Sequence, residues 1–426
     1  MKRFAFICLI LILIGMISGI PLKVYPKKVK PVKIGIILCL SGPASMLGRH
    51  GRSGIEFVID EINKQGGIKS LDGATIEYIV TDDKTLAATS VSEYERLVTA
   101  KKVIAVVGPC PAASQKATYP YAERYRVPLI GFGGGVLLKE PYRYGRNLQT
   151  HPLDIVRAMT GAIVKTANEM NLPLERIALL SYDVGSGPVA RLIIPEAFKK
   201  VGVTEDKIVF NDLFSAKAED LRPSALKMKT LNIQAMVGVK GVEHEILWAK
   251  ACHGVDYFPL IYMGTTGIVT QETWDGLGDK LAKETISRPG WFGLGYFHPE
   301  IQYQPLQDFL VKFRDWAKLK GLPEPEVIEP YNVLGAQAMY FLYRAIEIAG
   351  SRKPSAINTA LWKLSLKEGD PHLIAPQFLP ELKFDFTTNY PKNRITFILF
   401  WDDTGKLQVA YPKEMRTAPM KIPDVK

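Results

Sequence analysis

The sequence predicts an α/β protein of two Rossmann-like, doubly wound lobes joined by a three-segment hinge. Three observations predict it. The chain has 426 residues, enough for two domains. Short apolar runs alternate with segments of helical apolar spacing, the pattern of βα units around a parallel sheet. The alternation comes as two sets of four units, and the segments between and after the sets read as crossings from one to the other. Lobe 1 is expected over residues 32–150 and 293–393, and lobe 2 over 151–292 and 394–426. A leader at 1–20 and an extended Pro/Lys linker at 21–31 precede them.

The first unit sets the pattern. Val32 to Leu40 is apolar apart from Lys33, as expected of a parallel strand covered on both faces. Ser41, Gly42 and Pro43 stop it. Ile55, Val58, Ile59 and Ile62 recur at helical spacing, and Gly66-Gly67 ends the helix. Ligands of open α/β sheets bind in loops at the carboxyl ends of strands, so Ser41 to Arg49 is the first candidate ligand loop. Further strands are predicted at Ala74–Thr81, Val103–Val107 and Val127–Phe132, with a helix at Ser114–Arg126 interrupted by Pro120. Asn147 to Pro152 reads as the first crossing. The second set of strands is Arg176–Ser181, Lys207–Phe214, Ala235–Val239 and Phe258–Met263. Arg288 to His298 reads as the return to lobe 1. Two long helices follow, marked by Leu306, Phe309, Leu310, Phe313 and Trp316, then by Leu334, Ala338, Phe341, Ala345 and Ala349. Arg394 to Trp401 crosses again, and Asp402 to Gly405 turns the chain into Lys406–Tyr411. Three crossings near Thr150, Gly293 and Arg394 make a hinge, and two lobes on a hinge enclose a cleft that can close.

The strand, Ser41-Gly42-Pro43-Ala44, the Gly-rich helix start and Ile62-Asn63-Lys64-Gln65-Gly66-Gly67-Ile68 together resemble the amino-terminal signature of type I periplasmic binding proteins. The nearest group is the leucine/isoleucine/valine-binding receptors of ABC importers. The likeness continues through Asp82-Asp83, Val103 to Gln115 and Val127 to Gly135. It implies an exported solute-binding protein with two partners, a small-molecule ligand and the importer's permease subunits, and with no cofactor. In such receptors, hydroxyls and backbone N–H groups after the third and fourth strands hold an amino acid's carboxylate, and an acid in the second lobe holds its ammonium. Here the first loop is Pro111-Ala112-Ala113-Ser114. Gly135 stands where a Thr is usual, Thr266 where the acid is usual and Ser186 where a Tyr is usual. Lys84 and Thr85 follow Asp83 where the receptors often place a cysteine.

The expected ligand-touching set is Ser41, Leu47, Ala112, Gly133 and Gly135 in lobe 1, with Ser186, Lys240, Thr265 and Thr266 in lobe 2. With several clamp residues missing together, the expected ligand is an apolar or aromatic carboxylate rather than a branched-chain amino acid. Glu243 or Glu245 would restore an acid if either reached the cleft. An amino acid-binding protein and a ligand sensor of the same fold are the alternatives. Lys240 follows a strand on the cleft side and either meets a ligand anion or stands solvated. Gly131 to Gly135 either lets backbone approach a ligand closely or simply turns strand into helix. Trp291, Phe292, Tyr296 and Phe297 either pack beneath the hinge or line an aromatic pocket.

Composition excludes several other classes. The formal charge is +11, yet no run of five basic residues appears, which argues against a nucleic-acid tail. Phosphate-loop, nucleophile-elbow and zinc-helix motifs are missing, so no catalytic residue is assigned and the chain is not expected to be an enzyme. The six His lack metal-ligand spacing, so no metal is expected. Adjacent Asp82 and Asp83 point opposite ways on a strand end and suit turn or cap roles. Lys2-Arg3 followed by the apolar Phe4–Ile14 and Ile17-Ser18-Gly19 forms a signal peptide; an uncleaved anchor is the alternative. Beyond it stand Cys39, Cys110 and Cys252. Cys39 and Cys110 end neighbouring strands and are either a disulfide or two buried thiols. The protein is expected to be periplasmic or otherwise extracytoplasmic, and a monomer.

Overall fold

The computed structural model describes residues 29–42, 44–184, 186–420 and 423. The leader and nearly all of the linker lie outside the described residues. The first sheet is built from β1 (Val32–Leu38), β2 (Ile76–Asp82), β3 (Ala105–Val107), β4 (Leu129–Phe132) and β5 (Gly145–Leu148). All its pairings are parallel, in the order β2-β1-β3-β4-β5. The intervening helices are α1 (Ser45–Lys64), α2 (Ala87–Thr99) and α3 (Ala112–Tyr125).

A connection through α4 (Pro152–Glu169) leads to β6 (Ile177–Tyr182), α5 (Gly187–Lys200), β7 (Ile208–Phe214), α6 (Arg222–Thr230), β8 (Ala235–Val239), α7 (Val242–Gly254), β9 (Ile261–Met263), α8 (Gln271–Leu277), α9 (Asp279–Glu284) and β10 (Trp291–Gly295). The chain then forms α10 (Gln304–Leu319), α11 (Pro330–Ala349) and α12 (Pro354–Lys363). Four two-residue strands follow: β11 (Leu366–Lys367), β12 (Glu381–Leu382), β13 (Phe384–Asp385) and β14 (Tyr390–Pro391). The hairpin β15 (Phe397–Trp401) and β16 (Leu407–Tyr411) comes last. The second sheet runs β16-β15-β10-β9-β8-β6-β7. Read from β7, its five parallel strands repeat the order of the first sheet, and the antiparallel hairpin extends the far edge.

Helices α10 and α11 complete lobe 1. Phe57 of α1 meets Phe309, Phe313 and Trp316 of α10 edge-on, with ring centroids 5.4 to 5.8 Å apart. α1 and α11 cross backbone to backbone. A Cβ on Gly54 would lie 2.0 Å from the Asn332 carbonyl oxygen, and one on Gly335 would lie 2.3 Å from that of Gly51. Gly51 and Gly54 therefore serve helix–helix packing.

Three expectations are corrected. The segment read as the first crossing begins with strand β5. Arg146 and Asn147 make that strand polar, although both are fully buried. Asn147 Nδ2 donates to the Gly134 carbonyl at 2.7 Å, and the Arg146 guanidinium lies 4.0 Å over the Trp362 ring. Gly293 is not at a crossing: Gly293 to Gly295 pair with β15 inside the second sheet, so the chain leaves lobe 2 only after Gly295. Pro120 does not interrupt α3. It and Lys116, whose carbonyl loses its helical donor, are both exposed residues.

The crossings lie at 149–151, 296–303 and 392–396. The first and third are tied together by Arg394, whose Nε is 2.7 Å from Asp154 Oδ2. The His151 ring also stands edge-on to Tyr390 at 4.9 Å.

Candidate functional site

The loops at the carboxyl ends of the two parallel sheets form the candidate site. In lobe 1, β1 ends at Leu38 and its loop passes through Ser41. The Ser41 Oγ donates to Asp82 Oδ2 at 2.6 Å, and the Leu40 and Ser41 N–H groups donate to Asp82 Oδ1. Partial burial opposes ionisation of Asp82, but these hydrogen bonds and one from the Lys84 N–H hold its carboxyl below the ordinary value. Asp83, fully buried, accepts from Thr85 N–H and Ser90 Oγ. Both acids therefore act on turns. Leu47, half-buried near the start of α1, packs its side chain against the core.

Ala112 opens α3. Its N-cap, Pro111, offers no side chain to accept from the first turn of N–H groups, so that positive helix end has no side-chain cap. Ser114 Oγ in the same turn is buried and has no partner among the described residues. Across from it, Gly133 has φ +104° and donates no side chain to the site. A Cβ there would sit 3.1 Å from the Cys110 carbonyl oxygen and 3.4 Å from the Tyr331 ring. At Gly134 a Cβ would lie 2.5 Å from Ala112 N, and at Gly135 it would lie 2.9 Å from Pro152 Cγ. Part of the close approach that these glycines permit is made by the chain itself. Gly135 in particular faces the first crossing and has no room for the usual Thr.

In lobe 2, Ser186 is the exposed N-cap of α5, with its Oγ 3.2 Å from Tyr182 OH. Thr265 Oγ1 donates to the Lys240 carbonyl at 2.6 Å, and Thr266 begins the single turn Thr266–Val269. Lys240 departs from both of its sequence readings. Its side chain turns inward and is 3% exposed. Nζ donates to Tyr262 OH at 2.8 Å, and that hydroxyl donates to Glu245 Oε2 at 2.6 Å. Trp248 and Tyr262 each face the ammonium at 4.9 Å. Burial drives the Lys240 pKa down to about 8 against the pull of Glu245, and burial likewise raises the Glu245 carboxyl. Glu245 is 1% exposed and lies beneath the loop after β9, where a Cβ on Gly264 would come within 2.8 Å of its Oε1. Glu243 is exposed at the first turn of α7.

A further candidate residue stands beside these loops. Tyr331, in the first turn of α11, is half-buried against Gly133. Burial, then the nearness of Tyr296, raises its hydroxyl pKa; burial pushes that of Tyr296 up to about 12. Both rings therefore present neutral hydroxyls where the second crossing meets lobe 1. The signal was present in Glu329-Pro330-Tyr331-Asn332: Glu329 and Asn332 form a capping box with Pro330 at the first helical position, which places the tyrosine at a helix start on the cleft side. Of the other aromatics, Trp291, Phe292 and Phe297 are core residues. At the rim, Glu272 of α8 acts through space on His50 of α1, whose pKa burial nonetheless lowers.

Two α/β lobes of matching strand order, three crossings and ligand loops at the carboxyl ends of both sheets define a hinged binding protein. The chain belongs to the periplasmic binding protein family, whose model matches residues 31–382. The family is extracytoplasmic and made of substrate-binding receptors rather than enzymes. Leu/Ile/Val-binding protein homolog 8 of Brucella abortus (strain 2308) is 22% identical, over 96% of this chain and 98% of its own. A branched-chain amino acid transporter substrate binding protein from Streptococcus pneumoniae, in complex with isoleucine, has a TM-score of 0.67 and 20% identity, covering 89% of this chain and 98% of that one. An ABC transporter solute binding protein from R. palustris, in complex with 4-hydroxybenzoate, has a TM-score of 0.69 and 17% identity, covering 93% and 98%. Among the described residues, no helix is long and apolar enough to cross a membrane.

Proposed function

We propose that this protein captures an apolar or aromatic carboxylate between its lobes and delivers it, as a monomer, to the permease subunits of an ABC importer. One observation carries the choice of ligand class: Glu245, on the helix after Lys240, is buried, its Oε2 accepting from Tyr262 OH and so linked to Lys240, while its Oε1 has no partner among the described residues and faces no cation there. An ammonium enclosed without a counter-charge costs several kcal/mol, roughly, so a zwitterion is disfavoured. The uncapped amino end of α3 and Ser114 Oγ suit a carboxylate. Tyr331 and Tyr296 suit a flat apolar body, with hydroxyls free to donate. Ser41, Leu47, Ala112, Ser186, Thr265 and Thr266 remain in the proposed site. Gly133 and Gly135 shape it through their backbone, and Lys240 is withdrawn as a direct ligand contact. Lobe closure about the three crossings would exclude water.

The second reading, a branched-chain amino acid ligand, is favoured by what the Brucella relatives are called and by the isoleucine in the Streptococcus protein. On that reading Glu243 or Glu272 would have to meet the ammonium from the rim. Calorimetry separates the two. Benzoate, 4-hydroxybenzoate and branched aliphatic acids are expected to bind and leucine, isoleucine and valine not to. Micromolar or tighter leucine binding with no heat from the acids would overturn the proposal.

A further inference from the structure

We propose that Cys39 and Cys110 are joined by a disulfide in the exported protein, forming a staple beneath the lobe-1 half of the cleft. The register of β1 on β3 pairs Ile34 with Ala105, Gly35 with Val106 and Ile36 with Val107. Continued at the same offset, it sets Cys39 beside Cys110. The strands stay close beyond the last ladder pair: a Cβ on Gly108 would lie 1.9 Å from the Ile37 carbonyl oxygen. Neighbouring parallel strands are about 4.8 Å apart, within the Cα spacing that a disulfide spans. Both thiols are fully buried and stand as free thiols in the structure, where Cys39 Sγ donates to the Ala44 carbonyl at 3.0 Å. Cys252, the remaining described cysteine, is buried on α7 in the other lobe, so the pairing has no competitor among the described residues.

The staple would act on the ligand loops. The Cys110 carbonyl accepts from Gly134 N–H at 3.0 Å and from Gln115 Nε2 at 2.7 Å. The Cys39 carbonyl lies against Gly48, where a Cβ would come within 2.2 Å of its oxygen. One bond would therefore couple the β1–α1 loop to the β3–α3 and β4 loops. Its formation needs an oxidant, a protein or small-molecule disulfide of the exported compartment. One cysteine thiolate attacks a sulfur of that disulfide and releases the first oxidant thiol. The second cysteine thiolate then attacks the mixed disulfide at the first cysteine's sulfur and releases the second. Two electrons and two protons pass to the oxidant. Burial raises the Cys110 thiol well above its ordinary range, so thiolate is scarce in the folded chain and the bond must form during folding. The inference rests on the family's extracytoplasmic location and not on the ligand class, so either can fail without the other.

The test exports the full chain to an oxidising compartment, denatures it in alkylating reagent without reductant, and maps the peptides. Cys252 should be alkylated, while the Cys39 and Cys110 peptides should be recovered linked and separate on reduction. Alkylation of both in the exported protein would overturn the proposal. As a second measurement, protein unfolded and refolded in reductant should melt about 5 °C or more below the exported form, whereas the C39A/C110A variant should show no such gap. Equal melting of reduced and exported wild type would likewise overturn it.

Discussion

Replacing Lys240 by Met tests how lobe 2 holds its cleft lip. The ammonium is 3% exposed and linked through Tyr262 OH to Glu245, which is 1% exposed. The fall of the lysine pKa from 10.5 to about 8 corresponds to about 3 kcal/mol carried by its buried charged form. Removing the lysine relieves that burden but strands a buried carboxylate, and breaking such a pair from one side costs about 3–5 kcal/mol. The second effect should win, leaving K240M about 3 kcal/mol less stable at pH 7. The double variant K240M/E245Q removes both charges and should regain most of the loss. The pH dependence has a definite sign. Burial raises the folded-state pKa of Glu245 above its unfolded value of 4.5, and Lys240 is the main opposing influence. Without Lys240 that pKa rises further. The K240M deficit should then be smallest below pH 4.5 and grow as pH climbs through the raised value. Urea unfolding followed by circular dichroism suits the assay. A K240M protein as stable as its parent, or a double variant no better than the single, would refute the reasoning.

Gly135→Thr restores the residue usual in the related receptors, but its Cβ would come within 2.9 Å of Pro152 Cγ. Overpacking there should cost about 1–3 kcal/mol and lower the melting temperature without creating leucine binding, which scanning calorimetry and titration together would check. Saturation with a carboxylate shown to bind should reduce the radius of gyration in small-angle scattering, as the lobes close about their crossings. An unchanged profile at verified saturation would count against closure.

What the sequence disclosed depended on where the polar residues lie. β1, β8 and the helix face of α1 are apolar where they are buried, so periodicity found them. β5 was hidden because Arg146 and Asn147 are buried through specific partners, the Trp362 ring and the Gly134 carbonyl, which no pattern of hydrophobicity encodes. β10 was taken for a crossing because Gly293 and Gly295 break its apolar run; the structure fills those gaps with Ile268 and Leu399. The loops read as ligand loops do follow the carboxyl ends of strands, since topology alone dictates that. Side-chain direction was not legible. Lys240 stands at the cleft end of β8 but points into the lobe toward two residues, Glu245 and Tyr262, that no local spacing connects to it. Tyr331 reaches the site from a helix remote in sequence from every other candidate.

The crossing of α1 on α11 also bears on the order in which the protein can be assembled. α1 is the first helix of the described chain, and its partners Asn332 and Gly335 lie nearly three hundred residues downstream. Phe57 likewise waits for Phe309 and Trp316, and β10 waits for β15. Neither lobe can close its core until the last quarter of the polypeptide has emerged. Such long-range closure slows folding. A chain that must be threaded through a membrane before it folds benefits from that delay, because its leading half has no complete structure to adopt while its trailing half is still inside.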